Sequence, residues 1–257
     1  MPDFNRMLKK LIFIFLVLAA SNAFAQGVDA SSSSEGSQGF FRTEDYGGVF
    51  IHSNGFGANY RHVQRITGYS KRVYSFELLN MKHQKEAKTF NPYVDDTRGF
   101  IYGKVNSLFV FRPAYGKQKI LYTKDAKKGV QISRFFLYGP SFGLLKPVYL
   151  IIDYPNVIAR ENTSQEEIFD PSKHSFDNIR TRAPFTKGIE ETRFVPGIHV
   201  RYAYNFQYAP IDDIHRALEI GITFDAFARR MDMMFFQDPK QFFLTFYVNF
   251  QFGKLYI

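Results

Sequence analysis

Between residues 241 and 257 the chain reads "QFFLTFYVNFQFGKLYI". Phe242, Leu244, Phe246, Val248, Phe250 and Phe252 fall on one parity, and Thr245, Tyr247, Asn249 and Gln251 on the other, with Phe243 the one apolar exception. Side chains alternate across a strand with period two, so this spacing predicts a strand with one oily face and one mostly polar face. A helix would scatter the same aromatics around its circumference. The question the segment poses is which medium the oily face meets.

The opposite end narrows the answer. "MPDFNRMLKKLIFIFLVLAASNAFAQ" has a basic start (Arg6, Lys9, Lys10), an apolar core from Leu11 to Ala20 and a small-residue Ala23-Phe24-Ala25 site. That is the layout of a Sec-type export signal cleaved after Ala25, and its core is short of the roughly 20 residues a spanning helix needs. No later apolar stretch is long enough for a helix to cross a bilayer. Cysteine is absent, which excludes disulfides and a lipid-bearing amino-terminal cysteine. Cleavage would lower the formal charge from +9 to +7, with Lys and Arg spread along the chain rather than gathered in a run. Nucleic acid is therefore not an expected partner, while anionic lipid head groups are compatible with the charge. The unusual quantity is aromatic: 30 Phe and 16 Tyr, with no Trp.

Residues 26–44 form a Ser/Gly-rich leader with little to bury, expected to be a flexible linker. From 45 to 257 alternating segments recur, and strands are predicted near 46–53, 55–67, 71–83, 103–115, 130–152, 194–208, 215–228 and 240–253. Gly139-Pro140 and Lys146-Pro147 interrupt the fifth, which predicts a bulge, a bend or two shorter strands, so that ten strands is the alternative to eight. Tight turns at Ser53-Asn54-Gly55 and Gly68-Tyr69-Ser70 contrast with long connections over 84–103 and 153–193. If the chain starts on the periplasmic side, the longest connections all fall outside.

Alternation alone does not separate a membrane barrel from a soluble one, in which the apolar face lines the core. In 194–208 one parity is Ile198, Val200, Tyr202, Tyr204, Phe206 and Tyr208, and the other is Gly197, His199, Arg201, Ala203, Asn205 and Gln207. In 215–228, Leu218, Ile220, Ile222, Phe224 and Ala226 oppose Ala217, Glu219, Gly221, Thr223 and Asp225. Small residues crowd the polar parity, as a narrow lumen filled by side chains requires, whereas a solvated surface would be richer in Lys and Glu. Tyr202, Tyr204 and Tyr208 run toward a strand end, the position of an interfacial aromatic girdle. The expected fold class is therefore all-β: an antiparallel, transmembrane, up-and-down β-barrel of eight strands with long extracellular loops.

The export signal, the alternating strands and the final "FFLTFYVNFQFG" resemble a small bacterial outer-membrane β-barrel protein, and the Phe/Tyr usage and Ser-rich leader are similar to barrels of Bacteroidota. The resemblance implies residence in the outer membrane, contact with the bilayer and lipopolysaccharide, and a last strand, Phe242 to Phe252, read by the barrel-assembly machinery. One departure is that Lys254-Leu255-Tyr256-Ile257 follow the alternating run instead of a terminal aromatic.

Eight strands leave an interior just wide enough for side chains, so charges inside must find partners. A turn centred on Tyr69 would set Arg61 opposite Glu77, and a turn centred on 212 would set His199 opposite Asp225 and Asn205 opposite Glu219, with Arg201 in diagonal reach of Asp225. Arg61, Glu77, His199, Arg201, Glu219 and Asp225 are thus expected to form a structural lumen network. A His–carboxylate pair is also the core of a hydrolytic site, and some small outer-membrane barrels resemble lipid A deacylases or acyltransferases. Here no serine is apparent as a third member, and no G-x-S-x-G elbow exists. The six His show no metal-ligand spacing. The acidic doublets Asp95-Asp96, Glu166-Glu167 and Asp212-Asp213 read as solvated. No catalytic residue, metal or cofactor is expected.

The connection 153–193 is too long for a mere linker. Ile158, Ile168, Phe169, Phe176 and Phe185 could anchor a folded cap that contacts a neighbour in the envelope. The sequence thus favours a non-enzymatic barrel acting as an accessory subunit of an outer-membrane assembly or secretion complex. The alternatives are a lipid-modifying enzyme, a stand-alone adhesion or stability barrel, and a soluble periplasmic barrel.

Overall fold

The computed structural model describes residues 43–93, 99–123, 129–156, 161–208 and 214–256. The export signal, all of the leader but its last two residues, Ile158, Asp95-Asp96 and Asp212-Asp213 lie outside the described residues. In chain order the strands are β1 (Thr43–His52), β2 (Gly55–Arg65), β3 (Ser70–Met81), β4 (Lys88–Thr89), β5 (Phe100–Ile101), β6 (Asn106–Tyr122), β7 (Gln131–Pro147), β8 (Tyr149–Asn156), β9 (Glu161–Ile168), β10 (Ile179–Arg182), β11 (Arg193–Gln207), β12 (Ile214–Met231) and β13 (Lys240–Tyr256).

Eight of these close into an antiparallel barrel in the order β1-β13-β12-β11-β7-β6-β3-β2. β1 pairs with both β2 and β13, which leaves no free edge in the wall. A row of paired residues starting at Thr43 passes through Gln64, Arg72, Lys117, Phe136, Tyr202, Ile222 and Phe246 and arrives beside Ser53, ten positions further along the chain. That stagger tilts the strands at roughly 40° to the barrel axis.

Two sequence details resolve locally. Pro113 and Pro140 fall opposite each other, and the β6–β7 ladder skips from Phe111↔Phe142 to Tyr115↔Tyr138 because neither proline can donate. The strand nevertheless continues through Gly139-Pro140. It ends at Lys146-Pro147, where the chain leaves the wall. Glu44, placed by the sequence in the flexible leader, instead belongs to β1 and is buried beside Lys71. Its inward parity matches Tyr46, so the carboxylate has a cation to face.

The outward face of the wall is apolar. Val49, Ile51, Phe56, Leu78, Ile198, Leu244 and Phe246 are all more than half exposed, Ile51 reaching 67%. They join Phe76, Phe136, Ile220, Phe224, Phe242, Phe250 and Phe252 in a continuous belt. A soluble monomer seldom leaves more than a few hundred Å² of contiguous apolar surface in water. The interior holds the buried charges, together with large apolar groups the sequence reading did not place there. Tyr46, Phe50, Val63, Val73, Leu79, Phe135 and Leu137 pack inside, beside Tyr247, whose inward parity was expected. Expecting only small and hydrogen-bonding residues in the hollow was therefore too simple, since β1–β3 and β7 turn bulky groups both ways. The direction of the belt, not the purity of the lumen, makes this a transmembrane barrel.

The connections divide by end. Among the described residues, one end carries the turn 66–69 and the strand ends at Tyr122, Gln131, Gln207 and Ile214. At the other, β4–β5, the sheet β10-β8-β9 and the 232–239 segment fold together. Phe100, Leu150, Ile152, Phe169 and Ile179 make a small core there, flanked by Tyr102 and Tyr154. The bridge Lys104↔Met234, and the bonds from Val105 N to Met233 O and from Phe235 N to Gly103 O, tie two loops to each other. The described residues of the long connections thus form an ordered cap. Of its expected anchors, Phe169 is buried and Ile168 half-buried, while Phe176 and Phe185 keep exposed faces. Leu150, Ile152, Ile179 and Phe100 supply the core that the sequence reading left unassigned.

Candidate functional site

The lumen is held by charge. Arg61, Lys71, Arg112 and Arg201 meet Glu44, Glu77, Glu219 and Asp225, all buried. Arg61 forms a two-pronged pair with Glu219, donating from Nη2 to Oε1 at 2.8 Å and from Nη1 to Oε2. Glu219 also accepts from Tyr247 Oη at 2.6 Å and Gln251 Nε2 at 2.9 Å. Gly221 makes that possible: a Cβ there would lie 2.8 Å from Tyr247 Oη and 2.6 Å from Ala203 Cβ. Arg112 clasps Asp225 through Nε–Oδ1 at 2.8 Å and Nη2–Oδ2 at 2.5 Å. Arg201 clasps Glu77, with Nη2–Oε2 at 2.5 Å, and its Nε donates to Thr223 Oγ1 at 3.1 Å. The network is continuous because Arg61 and Arg112 also approach Glu77, at 3.9 and 3.8 Å. Aromatic faces cover the guanidiniums, Tyr247 at 4.3 Å from Arg201 Cζ and Phe135 at 4.9 Å from Arg61 Cζ. Lys71–Glu44 and the stacked Tyr46–His215 rings close the short-turn end, and Phe227, Met231, Met233 and Phe243 close the cap end.

All six residues expected in the lumen lie inside, but their partners differ. Arg61 faces Ser75, not Glu77, and Asn59 faces Glu77. The turn is centred one residue earlier, because Ile66 and Thr67 N–H both bond Ser70 O, and Ser70 N–H donates to Thr67 Oγ1. That two-residue change of register preserves the inward parity. His199 does face Asp225, and Asn205 faces Glu219. Asn205, however, donates to Gln251 Oε1, and Arg201 turns away from Asp225 because Arg112 already occupies that carboxylate. Arg112 escaped the sequence reading because its strand lies between β3 and β7, with its register set by long connections.

A serine does stand beside the His–Asp pair, contrary to expectation. Ser141 of β7 places Oγ 3.0 Å from His199 Nδ1 and donates to Asp225 Oδ1 at 3.1 Å. It lies beyond the long cap connection in sequence, so spacing gave no sign of it. The wiring differs from a nucleophilic triad, in which the imidazole bridges serine and carboxylate. Here the hydroxyl bridges the other two, and Ser141, His199 and Asp225 are at most 2% exposed. Among the described residues no cluster of His, Asp and Glu is placed to hold a metal. Glu166 instead pairs with Lys187 at 2.9 Å, and Glu167 approaches His174 at 3.2 Å.

The other two predicted sets lie on the outside. Phe242, Leu244, Phe246, Val248, Phe250 and Phe252 face outward from β13. Tyr204 is exposed on β11 and Tyr208 just past its end, with Tyr202 half-buried, its hydroxyl donating to Tyr204 Oη at 3.2 Å. Tyr74, Tyr115 and Tyr138 stand in register on β3, β6 and β7 and extend this tyrosine band around the wall.

The cap carries the remaining exposed aromatics. Tyr102 stacks on Phe236 at 5.9 Å, Phe169 meets both Phe235 and Phe236 edge-on, and Phe235 and Phe236 each leave 53% of their surface open. Gly103 sits under Phe236 at φ +75°, where a side chain would be strained. Nearby, Lys104 donates to Glu86 at 2.6 Å, yet burial, outweighing that carboxylate, holds its pKa below the usual lysine value.

An oily belt around a charge-filled, closed hollow defines a transmembrane β-barrel with a plugged lumen. No family model matches the chain, and no curated protein matches it. Among solved structures, the chain is similar to Ail, the attachment invasion locus protein of Yersinia pestis, in a crystal structure with the heparin analogue sucrose octasulfate: TM-score 0.41, 9% identity, covering 83% of this chain and 97% of Ail.

Proposed function

We propose that the protein is a non-enzymatic barrel of a bacterial outer membrane, exported by the Sec route, whose cap faces outward and docks another envelope component. In this reading it is an accessory subunit of an assembly or secretion complex, and β13 carries the signal for the barrel-assembly machinery. The supporting observation is the pairing of a plugged lumen with an ordered cap. Opposed charges fill the hollow, so the wall offers no evident path for a solute. The long connections meanwhile hold Phe235, Phe236 and Tyr93 open to the surroundings. Exposed aromatics on a rigid frame are the usual anchors of protein contacts.

Purification in mild detergent tests this. A partner recovered in fixed ratio with the wild-type chain, and lost when Phe235 and Phe236 are both replaced by Ser, supports docking through the cap. A chain that purifies alone from crosslinked membranes favours a stand-alone surface barrel. The Ser141–His199–Asp225 contact motivates a lipid-modifying enzyme as a second reading, and its burial within the wall weighs against it.

A further inference from the structure

Along β3, β6 and β7 the belt is asymmetric in charge. On the outward face near the short-turn end, Arg72 stands directly opposite Lys117, and Lys119 directly opposite Arg134. Like charges placed opposite one another across strands destabilise a sheet. The wall strands here carry few acids: β6, β7 and β11 contain no Asp or Glu, and the one acid of β3, Glu77, points into the lumen. Among the described residues of the barrel strands, the outward acid is Asp45, already engaged by His62 at 2.6 Å and Tyr60 at 3.1 Å. Arg72 Nε is covered yet has no hydrogen-bond partner. Once the strand tilt is allowed for, Arg72 and Arg134 fall between the heights of Lys117 and Lys119, and the four sit immediately beyond the tyrosine band.

We propose that this patch binds the phosphates of anionic glycerophospholipids in the leaflet around the short-turn end. The proposal rests on reading the apolar belt as lipid-facing. The cations lie where a belt gives way to head groups, the tyrosine hydroxyls beside them can donate to phosphate and ester oxygens, and bound phosphates would cancel the cross-strand repulsion. The opposite end of the belt, beneath the cap, carries Phe109, Phe142, Leu144 and Phe194 on β6, β7 and β11, and its exposed strand-end cations, Arg229, Arg230 and Lys240, lie instead on β12 and β13.

The test refolds the full chain and the variant Arg72→Gln/Lys117→Gln/Lys119→Gln/Arg134→Gln into vesicles of phosphatidylcholine, alone or mixed with phosphatidylglycerol or lipid A. Insertion is read by heat-dependent gel migration and stability by urea midpoint. Wild type should be stabilised by phosphatidylglycerol, each Gln cutting that gain about fivefold in the unfolding equilibrium. In phosphatidylcholine alone the variant should be at least as stable as wild type, since repulsion is removed. An inserted wild type with the same midpoint in both phospholipid mixtures overturns the proposal. So does stabilisation by lipid A but not phosphatidylglycerol, which assigns the patch to the other leaflet, or full stabilisation by inorganic phosphate added to phosphatidylcholine, which assigns it to a free ion. Failure to insert into any vesicle rejects the lipid-facing belt itself.

Discussion

Arg201 of β11 reaches across the barrel to Glu77 of β3, its Nη2 2.5 Å from Oε2, and passes over Asp225 on the neighbouring strand. Glu77 is also approached by Arg61 and Arg112, so the two members of the pair are not equivalent. Removing the carboxylate leaves Arg201 buried with only Thr223 Oγ1 at its Nε, and brings unopposed guanidiniums together. Removing Arg201 leaves Glu77 with two cations nearby. Glu77→Ala should therefore cost about 3–5 kcal/mol of unfolding free energy in lipid vesicles, and Arg201→Met clearly less. Equal costs in urea titrations would show that Glu77 does not act as the shared centre.

How much of this was legible follows from reach along the chain. The parity of β11, β12 and β13 is local, and it placed His199, Arg201, Glu219 and Asp225 inside and Phe242 to Phe252 outside. Register across a short connection was nearly as accessible: the His199–Asp225 pairing needed only the centre of one turn, and the Arg61 error arose from a Thr67 side-chain bond that moved another. Arg112 and Ser141 belong to strands whose neighbours are fixed by closure of the whole barrel. No spacing within β6 or β7 reveals that they meet Asp225. The cap core was equally hidden, because Phe100 and Ile179 come from different connections.

At Gly221 the lumen has no room for a side chain. A Cβ would meet Ala203 Cβ and Tyr202 O at 2.6 Å as well as Tyr247 Oη. Gly221→Val should destabilise the barrel by roughly 1–3 kcal/mol through overpacking. The infrared or circular-dichroism signature of β structure should persist, while the urea midpoint falls.

Ser141 separates a structural from a chemical role for the His199 cluster. Replacing it with Ala removes one buried hydroxyl that donates to Asp225 and leaves Arg112 in place, at a cost of about 1 kcal/mol. Mass spectrometry of lipid A from cells carrying wild type or Ser141→Ala should show the same acyl pattern. A loss of one acyl species on chain expression, restored by Ser141→Ala, would make the buried cluster a working site.

In the cap, Asp170 accepts from Ser172 Oγ at 2.7 Å and Ser172 N at 2.9 Å, which hold its pKa below the ordinary 3.8. Lys173 and His174 lie nearby and lower it further. A carboxylate depressed in the folded state stabilises that state above its unfolded pKa, and the contribution is lost as pH falls through the folded value. Protection of the 170–174 amides, taken as their exchange rate relative to a free chain at the same pH, should therefore be full near neutrality and fall below pH 3.8. Asp170→Asn should flatten that dependence, and an unchanged profile would exclude Asp170 as its source.

The depth of β13 in its surroundings gives the most direct check on the belt. Phe246 is 62% exposed near the middle of the wall, paired with Ile222, whereas Phe252 lies toward the short-turn end, paired with Arg216 and two residues from Lys254. In water both substitutions to Arg would be mild or favourable, since each replaces an exposed phenyl group with a charge. In a bilayer the cost depends on depth. Phe246→Arg should lose about 2–4 kcal/mol of unfolding free energy, and Phe252→Arg about 0–1 kcal/mol. The ordering comes from the distance each guanidinium must reach to find head groups. Equal losses at the two sites would mean that the outward face does not span a graded lipid environment, whatever the apolar character of its side chains.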